Sequence, residues 1–443
     1  MKTLYYHASL ITGDVDRLFL PGGYLLVDGD RIAAVGVCGD EALPEADVRH
    51  DLAGRILMPG MISSHCHFYG QFVRGMPLSE PIYNWQQYLS RMWWRVDKAL
   101  DERQTYYSAL MGLVEGLKAG TTTYFDHQAS PNYITGSLDT IERAMRAVGG
   151  RGCLAYEVTD RDGAERAARG IAENERYIRA HQAEGDRFRG IFGLHASYSL
   201  SAETLERSSA VGNALNAGFH IHMAESEADV SDCYRRFDMH VVERLHEAGI
   251  LGEKTITAHN VHLKPRHFGI LRETGVTAAH NVQSNTNTAV GICPVVPLMD
   301  AGAHVALGGD GYTYDLFTEL GFASIQQHIG QNDCSVFSGK QILDMAFTNN
   351  QRLAKRIFGY EVGVLRPGAA ADFLILDYDP PTPLHAGNVL SHMTSGFSGH
   401  VDTVVCDGET VVERHRCTRV DEKEIFAGCR AEAQRLWDSL AAQ

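Results

Sequence analysis

A chain of 443 residues with 44% hydrophobic and 21% charged side chains can bury a large core and is too long for one small domain, so a large domain with a satellite is expected. Its formal net charge of −15 argues against a nucleic-acid or anionic-membrane partner, and no apolar run approaches the ~20 residues that span a bilayer. The nine cysteines are scattered, odd in number and never spaced C-x-x-C. That spacing excludes a disulfide framework and a thiolate zinc site and fits a reduced, cytoplasmic protein, as does an amino terminus without secretory-signal character.

The first fifty or so residues predict strands and turns, with a hairpin where apolar runs flank Asp28-Gly29-Asp30. From about residue 59 to 360, apolar strand-like runs alternate with helical stretches, the pattern of parallel strands joined by crossover helices. One helix is well marked. Asp101 is a candidate N-cap with Gln104 three residues on, Leu110, Leu113, Val114 and Leu117 form an apolar stripe, and Gly120 can close it. Eight strand candidates (56–67, 121–126, 152–157, 190–195, 218–225, 255–259, 276–280 and 304–310) each end in polar residues. Eight β/α units in series predict an α/β fold, a (β/α)8 TIM-like barrel, with chemistry at the carboxyl ends of the strands. Strand runs return at 371–376 and 403–413. Residues 1–58 and 361–443 are therefore expected to form a composite β-sandwich domain from both chain ends, around a metal-dependent barrel at 59–360.

In His65-Cys66-His67, alternate positions of a strand point the same way, so two imidazoles can converge on one ion. His220-Ile221-His222 repeats the alternation. His222, nearer the mouth, is the expected ligand and His220 a structural residue. Asp310, between Gly309 and Gly311 at the end of the eighth run, completes a three-His, one-Asp donor set. Glu225, just past the fifth run, is placed to pass a proton to a substrate nitrogen. His259, ending the sixth run, can orient a water activated by a metal and steady developing charge. Asp310 is expected to take a proton from that water as well, so the catalytic set is Glu225, His259 and Asp310. His195, His280, Ser284 and Asn285 lie at strand ends and loops suited to contacting substrate. Trp85, Trp93 and Trp94 are expected to be core. With no lysine placed for carboxylation, one divalent ion is expected, zinc first and iron(II) as the alternative.

Taken together, Met58–His67, His222–Glu225, Ala258-His259, His280–Asn285, Gly309–Gly311 and Gly363–Asp372 resemble the motifs of the amidohydrolase superfamily, in order and strand position. Within it they resemble the branch deaminating cytosine, guanine and adenosine thioethers. Trp93–Glu102, Asp126–Asp139 and Tyr156–Arg161 are similar to the SsnA-type aminohydrolases. The resemblance implies hydrolytic deamination of a small heterocyclic substrate with release of ammonia. Nucleoside-type members carry a ribose-binding glutamate where this chain has Trp93-Trp94-Arg95-Val96, which turns the expectation toward a purine-like or pyrimidine-like free base. The alternatives are a hydrolase of another C–N or C–Cl bond, such as a ring amide or an s-triazine, and a non-catalytic metal-binding scaffold. A homodimer is expected by analogy with the fold.

Overall fold

The computed structural model describes residues 1–39, 42–183 and 185–442. Eight strands form the central barrel: β1 (Met61–Cys66), β2 (Thr121–Gln128), β3 (Arg151–Tyr156), β4 (Phe192–Ala196), β5 (Phe219–Met223), β6 (Ile256–His259), β7 (Thr277–His280) and β8 (His304–Leu307). Parallel ladders join β1 to β2 to β3, and β4 through to β8. Parallel bridges Val158↔Leu194 and Cys66↔Asp310 close the two sheets into one ring. The first seven strands are buried at every position, as a sheet ringed by helices and filled by its own side chains requires.

Two of the expected strands are interrupted, each for a local reason. The run 56–67 breaks at Gly60. Gly60 N–H donates to Asp372 O at 3.1 Å and Met61 N–H to Gly120 O at 2.9 Å, which hands the backbone from an outer sheet to the barrel. A Cβ at Gly60 would come within 2.3 Å of Thr122 Oγ1, so the crossing needs glycine. The run 190–195 breaks at Ile191, between Phe188–Gly190, which pairs with β3, and β4.

The chain ends build a mostly antiparallel nine-stranded sheet. Its centre is Lys2–Ile11, flanked by Phe19–Asp28 on one side and Ile56–Pro59 on the other, with Phe373–Leu376 antiparallel to the latter. The predicted hairpin turns at Asp28↔Arg31. The β-rich reading of the tail stops at Cys417. Asp421 accepts from the backbones of Lys423 and Glu424 and starts a 20-residue helix, Glu422–Ala441. This helix returns to the barrel side: Glu422 pairs with Lys118 at 2.6 Å and Trp437 Nε1 donates to Phe72 O at 2.9 Å. Lys118 ends α1 (Glu102–Lys118), which opens with the Asp101/Gln104 capping box that its sequence predicts.

Barrel and outer sheet meet at Arg151, the first residue of β3 and fully buried. Its guanidinium donates to the carboxylates of Asp372 and Asp407 and to Tyr360 Oη. Asp372 also accepts from the Asp407 backbone at 2.8 Å. Every charge in this joint has a partner.

Candidate active site

The carboxyl ends of the barrel strands converge on a cluster of imidazoles. His65 and His67 project from one face of β1 and its end, as the alternation of a strand requires. His67 Nε2 lies 3.1 Å from His222 Nε2 and 3.2 Å from Asp310 Oδ1, and His65 Nε2 lies 3.5 Å from that same oxygen. One ligand atom from each of His65, His67, His127 and His222 falls within 4.8 Å of the others, as do those of His65, His259 and Asp310.

The donor chemistry fits a cation. Burial holds His65 down to about 3, and His67 and His222 also below the ordinary imidazole value, so these rings are neutral with lone pairs available. His65 Nε2 is buried with no hydrogen-bond partner. Two neutral ring nitrogens 3.1 Å apart beside a carboxylate are the arrangement that a divalent ion satisfies. The remaining nitrogens are fixed from behind. His65 Nδ1 pairs with His220 Nε2 at 2.8 Å, His67 Nδ1 with His127 O at 2.6 Å and His222 Nδ1 with His195 O at 2.9 Å. His220 is thus an orienting residue behind the cluster.

Backbone conformation aims the other groups. Ala224, His259 and Asp310 all have positive φ, at 49°, 74° and 55°, a conformation that non-glycine residues adopt at a cost and that collects at functional sites. Gly309 and Asp310 both donate their backbone N–H to His65 O, at 3.1 and 3.0 Å, which ties the end of β8 to the first ligand. His259 Nε2 stands 3.9 Å from Glu225 Oε1 and 3.9 Å from Asp310 Oδ2. Burial opposes its charge, but those two carboxylates outweigh burial and raise it above the ordinary value. Burial raises the Glu225 carboxyl against the pull of His259. Burial also opposes ionisation of Asp310, yet the close approach of His65 and the charge of His259 hold it well below the usual carboxylate range. Trp85 Nε1 donates to Glu225 Oε1 at 2.8 Å, and Ser284 Oγ to Asp310 Oδ2 at 2.5 Å.

A cavity of about 400 Å³ opens over this cluster, within the size range of small-molecule sites. Of the expected substrate contacts, His195 and Ser284 line it, whereas Asn285 and His280 do not. Asn285 instead accepts from His259 Nδ1 at 2.8 Å, holding that ring. His280 is buried, and neither of its ring nitrogens has a partner. The chain turns after it into the helix Val282–Asn287.

Several residues of this site escaped the sequence reading. Trp93 and Trp94 line the cavity, and Trp85 holds Glu225, so the expected core tryptophans form part of the pocket wall and its support. Their segment is a chain of short helices folded over the mouth between β1 and α1, a placement that composition does not reveal. Asp97, Glu157 and Arg161 add a charged wall, with Arg161 Nη2 donating to Asp97 Oδ2 at 2.8 Å. His127, buried on β2, stacks on His220 with ring centres 4.4 Å apart. Polar residues at the ends of the second and third runs were the available signal for His127 and Glu157.

Comparison with known proteins agrees with this architecture. The model of the amidohydrolase family matches residues 56–411. A 5'-deoxyadenosine deaminase of Methanothermobacter thermautotrophicus is 31% identical over 435 residues, covering 96% of this chain and 98% of its own. A 5-methylthioadenosine/S-adenosylhomocysteine deaminase of Desulforudis audaxviator is 30% identical over 429 residues, covering 94% and 96%. In fold, the chain is similar to a zinc-containing adenosine deaminase from Xanthomonas campestris, with a TM-score of 0.88, 22% identity and 98% of both chains covered. With the barrel, the converging histidines and a family match over most of its length, this chain belongs to the amidohydrolase family.

Proposed function

We propose that the chain is a hydrolytic deaminase of a nitrogen heterocycle, an enzyme acting on C–N bonds. It would work with one divalent ion, zinc first and iron(II) second, held by His65, His67, His222 and Asp310. The observation that carries the reading is the grouping of Glu225 and Asp310 around His259, each carboxylate 3.9 Å from its Nε2, beside the ligand cluster and at the floor of the cavity. Such a grouping has no use in a scaffold that merely stores metal. When bound, the ion supplies the Lewis acidity that makes hydroxide available near pH 7.

The residues of the chain do the rest. Asp310 takes the water proton, with Ser284 holding its Oδ2 and His259 orienting the attacking oxygen. Glu225, pinned through Oε1 by Trp85, uses its other oxygen to carry a proton to the ring nitrogen next to the reacting carbon. Oxygen adds to that carbon, Asp310 hands the proton it took to the exocyclic amine, the C–N bond breaks and ammonia leaves, and the hydroxyl proton of the adduct returns to Glu225 as the carbonyl forms. The aromatic roof of Trp93 and Trp94 excludes bulk water from these transfers.

An adenosine-like nucleoside is the first substrate class. The preference for a free base rested on a missing acid at residues 93–96. Asp97, the next residue, lines the cavity with its Oδ1 unpaired beside Arg161, and the relatives named above are deaminases of adenosine derivatives. We place the protein in the cytoplasm, on its nine unpaired cysteines, and in purine metabolism. We also propose a homodimer, supported by the exposed apolar residues Phe322, Ile325 and Ile329 on one helix. Among the described residues no helix is long and apolar enough to cross a membrane.

The test is ammonia release by metal-analysed protein against adenosine-type nucleosides, free bases and chloro-s-triazines. Ammonia from a nucleoside is the expected result, and chloride without ammonia would replace this reading. Glu225→Gln should retain the metal and lose ~10²-fold or more in turnover.

A further inference from the structure

Glu157 takes no part in the chemistry above, yet it ends the β3 run on the cavity wall and is only 2% exposed. Its Oε1 has no hydrogen-bond partner. The polar atoms around it are His67 Nδ1 at 3.5 Å, His127 Nδ1 at 3.6 Å and His195 Nε2 at 3.8 Å, all longer than a sound N–H···O bond. Two of these nitrogens are engaged elsewhere, His67 Nδ1 with the His127 carbonyl at 2.6 Å and His195 Nε2 with Tyr198 Oη at 3.4 Å. Arg161, on the same wall, gives its hydrogen bond to Asp97. A buried carboxyl that receives no donor from its own protein is destabilising, and in a native fold it asks for an explanation.

A second metal is a poor explanation. Glu157, His195 and His222 bring ligand atoms within 4.8 Å of one another. However, His222 Nδ1 is bonded to the His195 carbonyl, and its Nε2 faces His67 in the first cluster. Two donors remain, fewer than an ion of this kind takes from protein. The missing partner therefore lies on the substrate side.

Around the mouth, Glu225 follows β5, His195 ends β4 and Glu157 follows β3. A planar ring with its reacting carbon at the ligand cluster and one nitrogen at Glu225 turns another edge toward His195 and Glu157. We propose that Glu157 is a specificity-determining residue whose carboxyl group accepts a hydrogen bond from an N–H or amino group carried by the ring. Within the adenosine-like class, the preferred substrate is then one whose ring bears a further amino or N–H group on that edge, which binds better than the plain adenine ring. This deepens the deaminase reading and rests on it for the placement of the ring. The discrimination has a known physical basis: a site built to hydrogen-bond a substrate N–H rejects the analogue lacking it, because its own buried polar group is then left unpaired.

The experiment separates binding from turnover. Guanosine and inosine differ by the 2-amino group and both lack the 6-amino group of adenosine, so calorimetry on the zinc-loaded protein, with ammonia assayed alongside to score any loss of the 2-amino group, reads recognition. Guanine and hypoxanthine repeat the pair for free bases. The expected result is at least about tenfold tighter binding of the amino-bearing member. Glu157→Leu should abolish that ratio, and Glu157→Gln, which keeps an acceptor oxygen, should retain most of it. In turnover, 2,6-diaminopurine riboside should exceed adenosine in kcat/KM by a similar ratio that Glu157→Leu removes. A binding ratio that persists with no ammonia from any substrate would sink the deaminase reading and leave this inference standing. A wild-type ratio near one overturns it, as do two zinc ions per chain that fall to one in Glu157→Gln.

Discussion

The two ends of a single strand, β3, place ionisable groups in the protein interior and treat them in opposite ways. At its amino end Arg151 is enclosed by Asp372 and Asp407, and every charge has a partner. Just past its carboxyl end Glu157 faces the histidine cluster, where Glu157 Oε1, His65 Nε2 and both nitrogens of His127 have none. Both places are dry, so the desolvation cost is similar in kind. The difference is what completes them: the joint is finished by the protein, and the mouth is finished by what binds there. At these two ends of β3 the paired charges serve the structure and the unpaired ones face the site, and the contrast can be broken experimentally from either end.

Removing the ion should have the largest effect. Chelation, or His67→Ala, is expected to abolish metal content and to lower kcat/KM by on the order of 10³-fold or more, since a Lewis acid supplies several kcal/mol at the reacting centre. Scanning calorimetry of the stripped wild type should show a lower Tm, because the ion stabilises the folded chain by mass action. An unchanged Tm would mean that the imidazoles do not hold the ion, and the contrast with the Arg151 joint would fail.

At the joint the prediction reverses. Arg151→Met leaves the buried Asp372 carboxylate without its cation, while Asp407 is partly exposed and keeps Arg187 at 3.4 Å, and should cost roughly 3–5 kcal/mol of stability. Per folded molecule, metal content and kcat/KM should stay near wild type, since Arg151 and the ligands occupy opposite ends of the barrel strands. Denaturant melts beside titrated active-site assays check both halves. A variant that keeps its stability would show that the paired charges contribute little.

The same contrast explains what could be read from the sequence. The convergence of His65, His67, His222 and Asp310, the proposed ligands, was legible because each stands in a strand-end run with its own local signature, and the barrel followed from the eight-fold recurrence of such runs. The capping box of Asp101 and Gln104 and the hairpin at Asp28–Arg31 are equally local, and both are present. Asp97 and Arg161 were missed because nothing near them in sequence distinguishes a pocket residue from a solvated loop, and Glu157 was passed over although it ends the third strand run. Their burial comes from segments 60 or more residues apart meeting over the mouth. His280 and Asn285 were overread for the converse reason. Their position in sequence is right for a pocket wall, but His280 is buried outside the cavity lining and Asn285 is turned toward His259.

The smallest effect, and the most discriminating, is expected at His220. Its Nε2 orients His65, while its Nδ1 is buried without a partner and its ring lies flat on His127 at 4.4 Å. A residue that only orients a ligand should cost about 10- to 100-fold in metal affinity when lost. If unpaired burial is tolerated here for function, removing it should relieve the metal-free fold, in keeping with the exchange of stability for activity at such sites. His220→Leu, close in volume and apolar, should therefore weaken zinc binding in a competition titration and at the same time raise, or leave unchanged, the Tm of the stripped protein. Arg151→Met predicts the opposite sign on the second measurement. A stripped His220→Leu protein that melted several degrees lower would place His220 with the structural charges of the joint, and the line between the two ends of the barrel would then have to be drawn elsewhere.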